Sequence, residues 1–253
     1  MIISIAQTQL FILALTRVLA ILIQIPVLGG NVVPLQVKAG LGLILSAILI
    51  PWQGMPANPQ ELPILGLLMA VGRELIIGLV AGFAATLTFN ALQIAGEMMA
   101  LGSGFGSGRI MNPTMGDSGT ALDQMYVMFG LVTFLIINGH HSVILAIQRT
   151  FTVLPLNKPL PAFTGEVVMS MTAQLIATGI QIALPIAGAL LLADLTLGLL
   201  ARVAPQVQVF FLGLPLKIAL ATFAVGLIFS ISLPTVTDLF NSLGSRMLKL
   251  LGG

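Results

Sequence analysis

The stretch from Leu191 to Ile218 reads LLADLTLGLLARVAPQVQVFFLGLPLKI. It joins two helices expected over residues 166 to 203 and 207 to 233, and it carries Asp194, Arg202 and Lys217 inside apolar runs. Such a charge costs about 2.5 to 3.5 kcal/mol at the centre of a membrane helix on insertion scales. Groups of this kind therefore pair, line a polar cavity or face a partner, and rarely meet lipid. The first of the two helices is also far longer than a bilayer of about 30 Å needs.

The rest of the chain has the same character. Of 253 residues only 18 are charged, which is 7% against the roughly 25% usual in soluble domains. Hydrophobic residues make up 57% and there are 27 glycines, so little is left to face water. A soluble enzyme is excluded on these grounds, and the apolar surface must be covered by lipid or by other subunits. With no cysteine there is no disulfide framework, thiolate metal site or cysteine nucleophile. A net charge of +2 gives nucleic acid nothing to hold.

Six charge-free windows reach the 20 residues a span requires: 18–37, 39–60, 75–96, 124–148, 167–193 and 218–237. Proline and glycine trim them to helices near 4–25, 36–50, 62–101, 120–153, 166–203 and 207–233, with an amphipathic helix near 235–250. The helices 62–101 and 166–203 read either as kinked spans or as long hairpin-forming helices. Met1 to Leu28 is expected to stay in the mature protein, because no basic residue precedes the first apolar run and no cleavage pattern follows it. The basic loops do not orient the chain: simple crossing puts four cations on one side and three on the other. No tandem repeat is present, and residues 1–253 read as a single domain.

Further ionisable groups sit in apolar context: Arg17, Arg73 beside Glu74, Glu97 and Asp123. Arg202 and Glu97 can snorkel from helix ends. Arg17, Arg73, Glu74 and Lys217 are expected to be buried in pairs. Neighbours on a helix point about 100° apart, so Arg73 and Glu74 should find separate partners, on this chain or on others. Gly78 and Gly82, and the series Gly179, Ala183 and Ala187, allow close helix packing.

Between Leu101 and Thr120 the chain reads GSGFGSGRIMNPTMGDSG. It lacks the Lys-Ser/Thr of a phosphate loop and follows a helix, not a strand, which excludes a nucleotide cradle. Phe105, Ile110, Met111 and Met115 make it a deformable apolar segment able to obstruct an opening, as hydrophobic constrictions do. No catalytic set is assembled. Gly116-Asp117 lacks the earlier glycine of the intramembrane aspartyl protease motif, and nothing sets Asp123 and Asp194 face to face. His140-His141 has no third ligand at helical spacing, so neither metal nor cofactor is expected.

The opening stretch resembles the signature of the FliR family, the flagellar branch of a type III export-gate family whose injectisome branch is SctT. Arg17 with Pro34, Lys38 and Gly40 agrees with it, as do RELIIGLVAGF at 73–83, Gly96-Glu97, Asn112-Pro113, FLIINGHH at 134–141 and LPL at 154–156. Gly213-Leu-Pro-Leu-Lys217 is similar to the flagellar branch. The resemblance implies an all-α, hydrophobic helical-hairpin subunit of a helical export-gate assembly, a FliP-like unit fused to a FliQ-like unit. It implies no enzymatic activity, and partners that are FliP-like, FliQ-like and FlhB-like subunits together with unfolded export substrates. It places the chain in the bacterial inner membrane at the flagellar basal body, with its core raised largely above the bilayer plane. It assigns the plug that seals the closed channel to the glycine-rich loop, with Phe105, Ile110, Met111 and Met115. Contacts between subunits then fall to Arg17, Arg73, Glu74, Glu97, Asp194, Arg202 and Lys217. Two alternatives are a secondary transporter, which predicts inverted repeats, and an intramembrane aspartyl protease, which requires paired aspartates.

Overall fold

The computed structural model describes residues 4–30, 33–49, 61–106, 120–156, 158–159, 165–206 and 208–252, and every regular element among them is an α-helix. These are α1 (Ile5–Gln24), α2 (Pro26–Gly29), α3 (Leu35–Leu49), α4 (Ile64–Ser103), α5 (Ala121–Ile136), α6 (Gly139–Val153), α7 (Gly165–Val203), α8 (Val209–Asn241) and α9 (Leu243–Leu250). The all-α class expected from the sequence is the class found.

Local chemistry sets the helix ends. Ser4 and Gln7 form a reciprocal capping box at the start of α1. Thr120 caps α5 by accepting from the Asp123 N–H, and Asp123 lies in the first turn, where the positive end of the helix favours an acid. α4 stops where Gly104 takes φ 85°, and the Gly106 N–H returns to the Ala100 carbonyl at 3.2 Å.

One open alternative is decided and two expectations change. Helices α4 and α7 run unbroken for 40 and 39 residues, the latter straight through Pro185, so the long-helix reading holds. At 1.5 Å per residue each extends for about 60 Å. The helix expected over 120–153 is two helices, because Asn138 adopts a left-handed φ of 57° and the chain bends there. Asparagine tolerates that conformation, and the Asn138-Gly139 pair was its signal. Finally, Pro234 does not separate α8 from the last helix. α8 continues to Asn241 and the break falls at Ser242, since one proline removes only one helical hydrogen bond. Among the described residues four helical stretches are long and apolar enough to cross a membrane, or five with the bent α5–α6 pair.

The chain forms two compact units, residues 1–88, 138–170 and 240–253 in the first and 89–137 and 171–239 in the second. In the first unit α1 runs parallel to the early part of α4, with α3 against α1 and α9 against α6. A methyl group built on Gly78 would stand 2.5 Å from the Ala20 methyl, so glycine lets α1 and α4 touch. Leu13, Val18, Ile21, Ile77, Ile147 and Met247 are buried here.

The second unit brings together the late part of α4 with α5, α7 and α8. α5 runs antiparallel to the late part of α4, with Phe89 meeting Phe134 edge-on at 5.8 Å and Gly96 on Asp123, and α8 runs antiparallel to α7, where Asp194 reaches Lys217, while Phe129 of α5 stacks on Phe229 of α8 at 4.4 Å. α4 and α7 run in the same direction, with Gly179 on the Ala91 carbonyl and Gly102 on Leu190.

A Cβ at Gly179 would lie 2.5 Å from the Ala91 carbonyl oxygen, whereas one at Gly226 would meet nothing within 4 Å. Gly179→Ala should therefore lower stability by about 1–3 kcal/mol through overpacking. Gly226→Ala should be neutral or stabilising by up to about 1 kcal/mol, from helix propensity. Thermal midpoints in detergent, read by the monodisperse fraction on size exclusion, would check the opposite signs.

Candidate functional site

Two charge centres and one exposed hairpin organise the groups singled out in the sequence. The first centre is Arg17 in the middle of α1. Its side chain is 0% exposed and its Nε donates to Glu74 Oε2 of α4 at 2.6 Å, where Glu74 is 1% exposed. Nη1 of Arg17 donates to two carbonyls at the end of α6, Leu154 at 2.6 Å and Thr150 at 3.1 Å. The guanidinium carbon lies 4.6 Å above the centre of the Phe151 ring. One cation thus meets a carboxylate, the negative end of a helix and an aromatic face, each of which attracts it.

Sequence explains the geometry. Pro155 cannot donate an N–H and ends α6, so Arg17 reaches the carbonyls of its last turn from outside, sharing that of Thr150 with the Leu154 N–H. Gly78 brings α1 close enough for Arg17 to reach α4. Expected burial and pairing are found for Arg17 and Glu74, and both partners lie in this chain. Arg73 points elsewhere, as a helix neighbour must, with Nη1 donating to the Lys158 carbonyl at 3.5 Å.

The second centre is the ion pair of Lys217 on α8 with Asp194 on α7. Next to it Leu197 packs on Gly213, where a Cβ would sit 3.3 Å from a Leu197 methyl. Pair and contact fix the antiparallel register of the hairpin that α7 and α8 form. Its apolar side chains are largely uncovered: Leu192, Leu195, Leu199, Val203, Phe211 and Phe223 are all exposed. Such a surface on one chain marks contact with protein or lipid.

The sequence model for bacterial export proteins, family 1, matches residues 8–243. The chain belongs to that family. It is similar to the flagellar biosynthetic protein FliR of Escherichia coli (strain K12), 30% identical over 236 residues, covering 93% of this chain and 90% of the relative. The FliR protein of Bacillus subtilis (strain 168) is 29% identical over 246 residues, 95% of this chain and 94% of its own length. The Yop proteins translocation protein T of Yersinia pestis is 28% identical over 217 residues, with coverage of 84% and 82%. The family resemblance read from residues 191–218 is thereby met along almost the whole chain.

In this export protein the remaining groups fall apart from the two centres. Arg202 is exposed at the end of α7. Glu97 is half-buried on α4, with Gln93 Nε2 at 3.5 Å. Phe105 is half-buried in the turn after α4, while Ile110, Met111 and Met115 lie outside the described residues. The two aspartates weighed as a catalytic pair are separately engaged: Asp123 accepts from Thr120 Oγ1 and the Gln124 N–H, and Asp194 binds Lys217. Among the described residues no group of three His, Asp or Glu side chains could hold a metal.

Sequence reasoning missed the α6 carbonyls and Phe151, because backbone acceptors carry no residue signature. The LPL motif at 154–156 was the available sign. It also missed Tyr126, the single tyrosine, which is fully buried with its hydroxyl 3.4 Å from Ser232 Oγ.

Glu74→Ala leaves the buried guanidinium without its counter-charge and should cost about 3–5 kcal/mol. Removing both charges together, Arg17→Met with Glu74→Leu, should recover much of that loss. The swap Arg17→Glu with Glu74→Arg should not, because a carboxylate at 17 would face the Thr150 and Leu154 carbonyls. Membrane accumulation and thermal midpoint of the four chains would rank them, and a rescuing swap would show that the carbonyls contribute nothing.

Proposed function

We propose that the chain is a structural, channel-forming subunit of a flagellar type III protein export gate. Family membership makes it a component of a bacterial export apparatus. The observation that carries the finer reading is the hairpin of α7 and α8, where large apolar side chains stay uncovered while Asp194 and Lys217 are already matched to each other within the chain. A chain built in this way is stable in its internal polar contacts and incomplete on its outside.

The neighbours proposed are FliP-like and FliQ-like subunits in a hetero-oligomer, with a FlhB-like subunit beside them, in the inner membrane at the flagellar basal body. Within it the chain forms part of the wall through which unfolded flagellar proteins pass. Residues 1–253 act as a single export-gate domain. Arg73, Glu97 and Arg202 take the polar contacts with neighbours, while Arg17–Glu74 and Asp194–Lys217 hold the shape that presents them. The glycine-rich segment with Phe105, Ile110, Met111 and Met115 is the plug, an apolar obstruction that yields when cargo passes. The role needs no bond-making chemistry, in keeping with Asp123 and Asp194 being separately engaged by a cap and an ion pair.

Purification of the tagged chain from its own membranes is expected to yield a particle several times its 26.5 kDa mass, containing unlike chains. A particle of one or two copies, active alone, would overturn the reading. Replacing residues 104–111 by a Gly-Ser linker should leave that particle intact and raise the ion conductance of the cells. Unchanged conductance would remove the plug assignment.

A further inference from the structure

Midway along the hairpin, α7 and α8 leave a notch of about 90 Å³ between them, lined by Gln181, Ile182 and Pro185 from α7 and by Ile228, Ile231, Ser232 and Thr235 from α8. Its chemistry differs from the apolar surface around it. Ser232 is buried and its hydroxyl meets that of Tyr126 at 3.4 Å, so a polar pair lies beneath the opening. Thr235 is half-buried. Thr16, Thr88, Thr178, Thr196, Thr222 and Thr237 each donate to the carbonyl four residues earlier, whereas the Thr235 hydroxyl has no partner among the described residues. The Gln181 amide at the rim likewise has none. Pro185 adds a further acceptor, because it has no N–H to give to the Gln181 carbonyl one turn earlier.

Both helices are long and apolar enough to cross a membrane. Hydrocarbon cannot satisfy an amide, a hydroxyl and a backbone carbonyl, and each unsatisfied group costs free energy there. The surrounding face, with Leu184 and Ile231 exposed, is too apolar to stay open to bulk water. A covering that is apolar overall and brings hydrogen-bonding capacity to one point matches both facts, and a helix with a single polar side chain has that form.

We infer that the notch is a docking site for one uncharged hydrogen-bonding side chain, a carboxamide or a hydroxyl, carried by a membrane helix of an unlike subunit. The inference rests on the reading of the chain as an assembly subunit and names the place on it where a neighbour is keyed. The face of α7 and α8 around residues 181–185 and 228–235 is then a protein interface and not a lipid-facing one.

The sign of a substitution separates the two coverings. Gln181→Leu with Thr235→Val keeps side-chain size and removes the polar groups. Under a keyed interface, recovery of unlike chains with the tagged, full-length protein should fall roughly threefold to tenfold, given the modest strength of hydrogen bonds between membrane helices. Thr222→Val, at an exposed threonine already bonded to its own helix, should leave recovery unchanged. Equal or greater recovery in the double variant overturns the inference, because lipid or trapped water would then fill the notch. Should the double variant fail to accumulate, a photoreactive benzoylphenylalanine at the exposed Leu184 of the otherwise unchanged protein gives the second reading. It should attach to an unlike chain of the purified assembly, and attachment to phospholipid or to nothing overturns the proposal. A wild-type particle without unlike chains would instead sink the assembly reading itself.

Discussion

The guanidinium of Arg17 is the interaction on which the first unit depends. It sits without solvent exposure among helices that are otherwise apolar, and α1, α4 and α6 each supply part of its surroundings. Apolar packing is non-directional, so three greasy helices can slide or rotate against one another at little cost. A charge that must be matched at one point removes that freedom, because most other arrangements strand it in a low-dielectric interior. The second unit uses the same device more weakly with Asp194 and Lys217, which are partly exposed and so better screened. Register is thus specified by a few polar contacts, and the bulk of the burial comes from residues that would accept many registers.

Much of the fold was legible because helices in so apolar a chain are delimited by what interrupts them. The ends of α3, α4 and α7 follow from Pro34, the glycine-rich stretch after Leu101 and Pro205, and the charge-free windows located the rest. The failures came where an interruption was judged by residue type alone. Pro234 looked like a boundary and is inside a helix, and Asn138 looked like helix and is the break. Proline subtracts one hydrogen bond, which a packed helix can absorb, whereas a left-handed residue redirects the backbone.

The candidate site was legible in its parts and not in its pairings. That Arg17, Glu74, Asp194 and Lys217 needed partners followed from the cost of burying charge. Which groups would meet did not follow, because Arg17 and Glu74 are 57 residues apart and the other acceptors are main-chain atoms. The exposed face of α7 and α8 was foreseen in character, as surface meant for something other than water. The polar notch in it was not, since Gln181, Ser232 and Thr235 are unremarkable in a linear string and acquire meaning only when two helices place them around one opening.

The closest helix crossings have a consequence for how this chain can vary through time. At Gly96 and Gly179 the neighbouring atom is main chain, of Asp123 in one case and Ala91 in the other, and a peptide backbone cannot rotate aside as a side chain can. The separation of the helices there is measured by a single hydrogen atom on each glycine. Leucine can give way to isoleucine over most of the surface, yet at these two points drift has nowhere to go, and a change would have to move a whole helix before it could be kept.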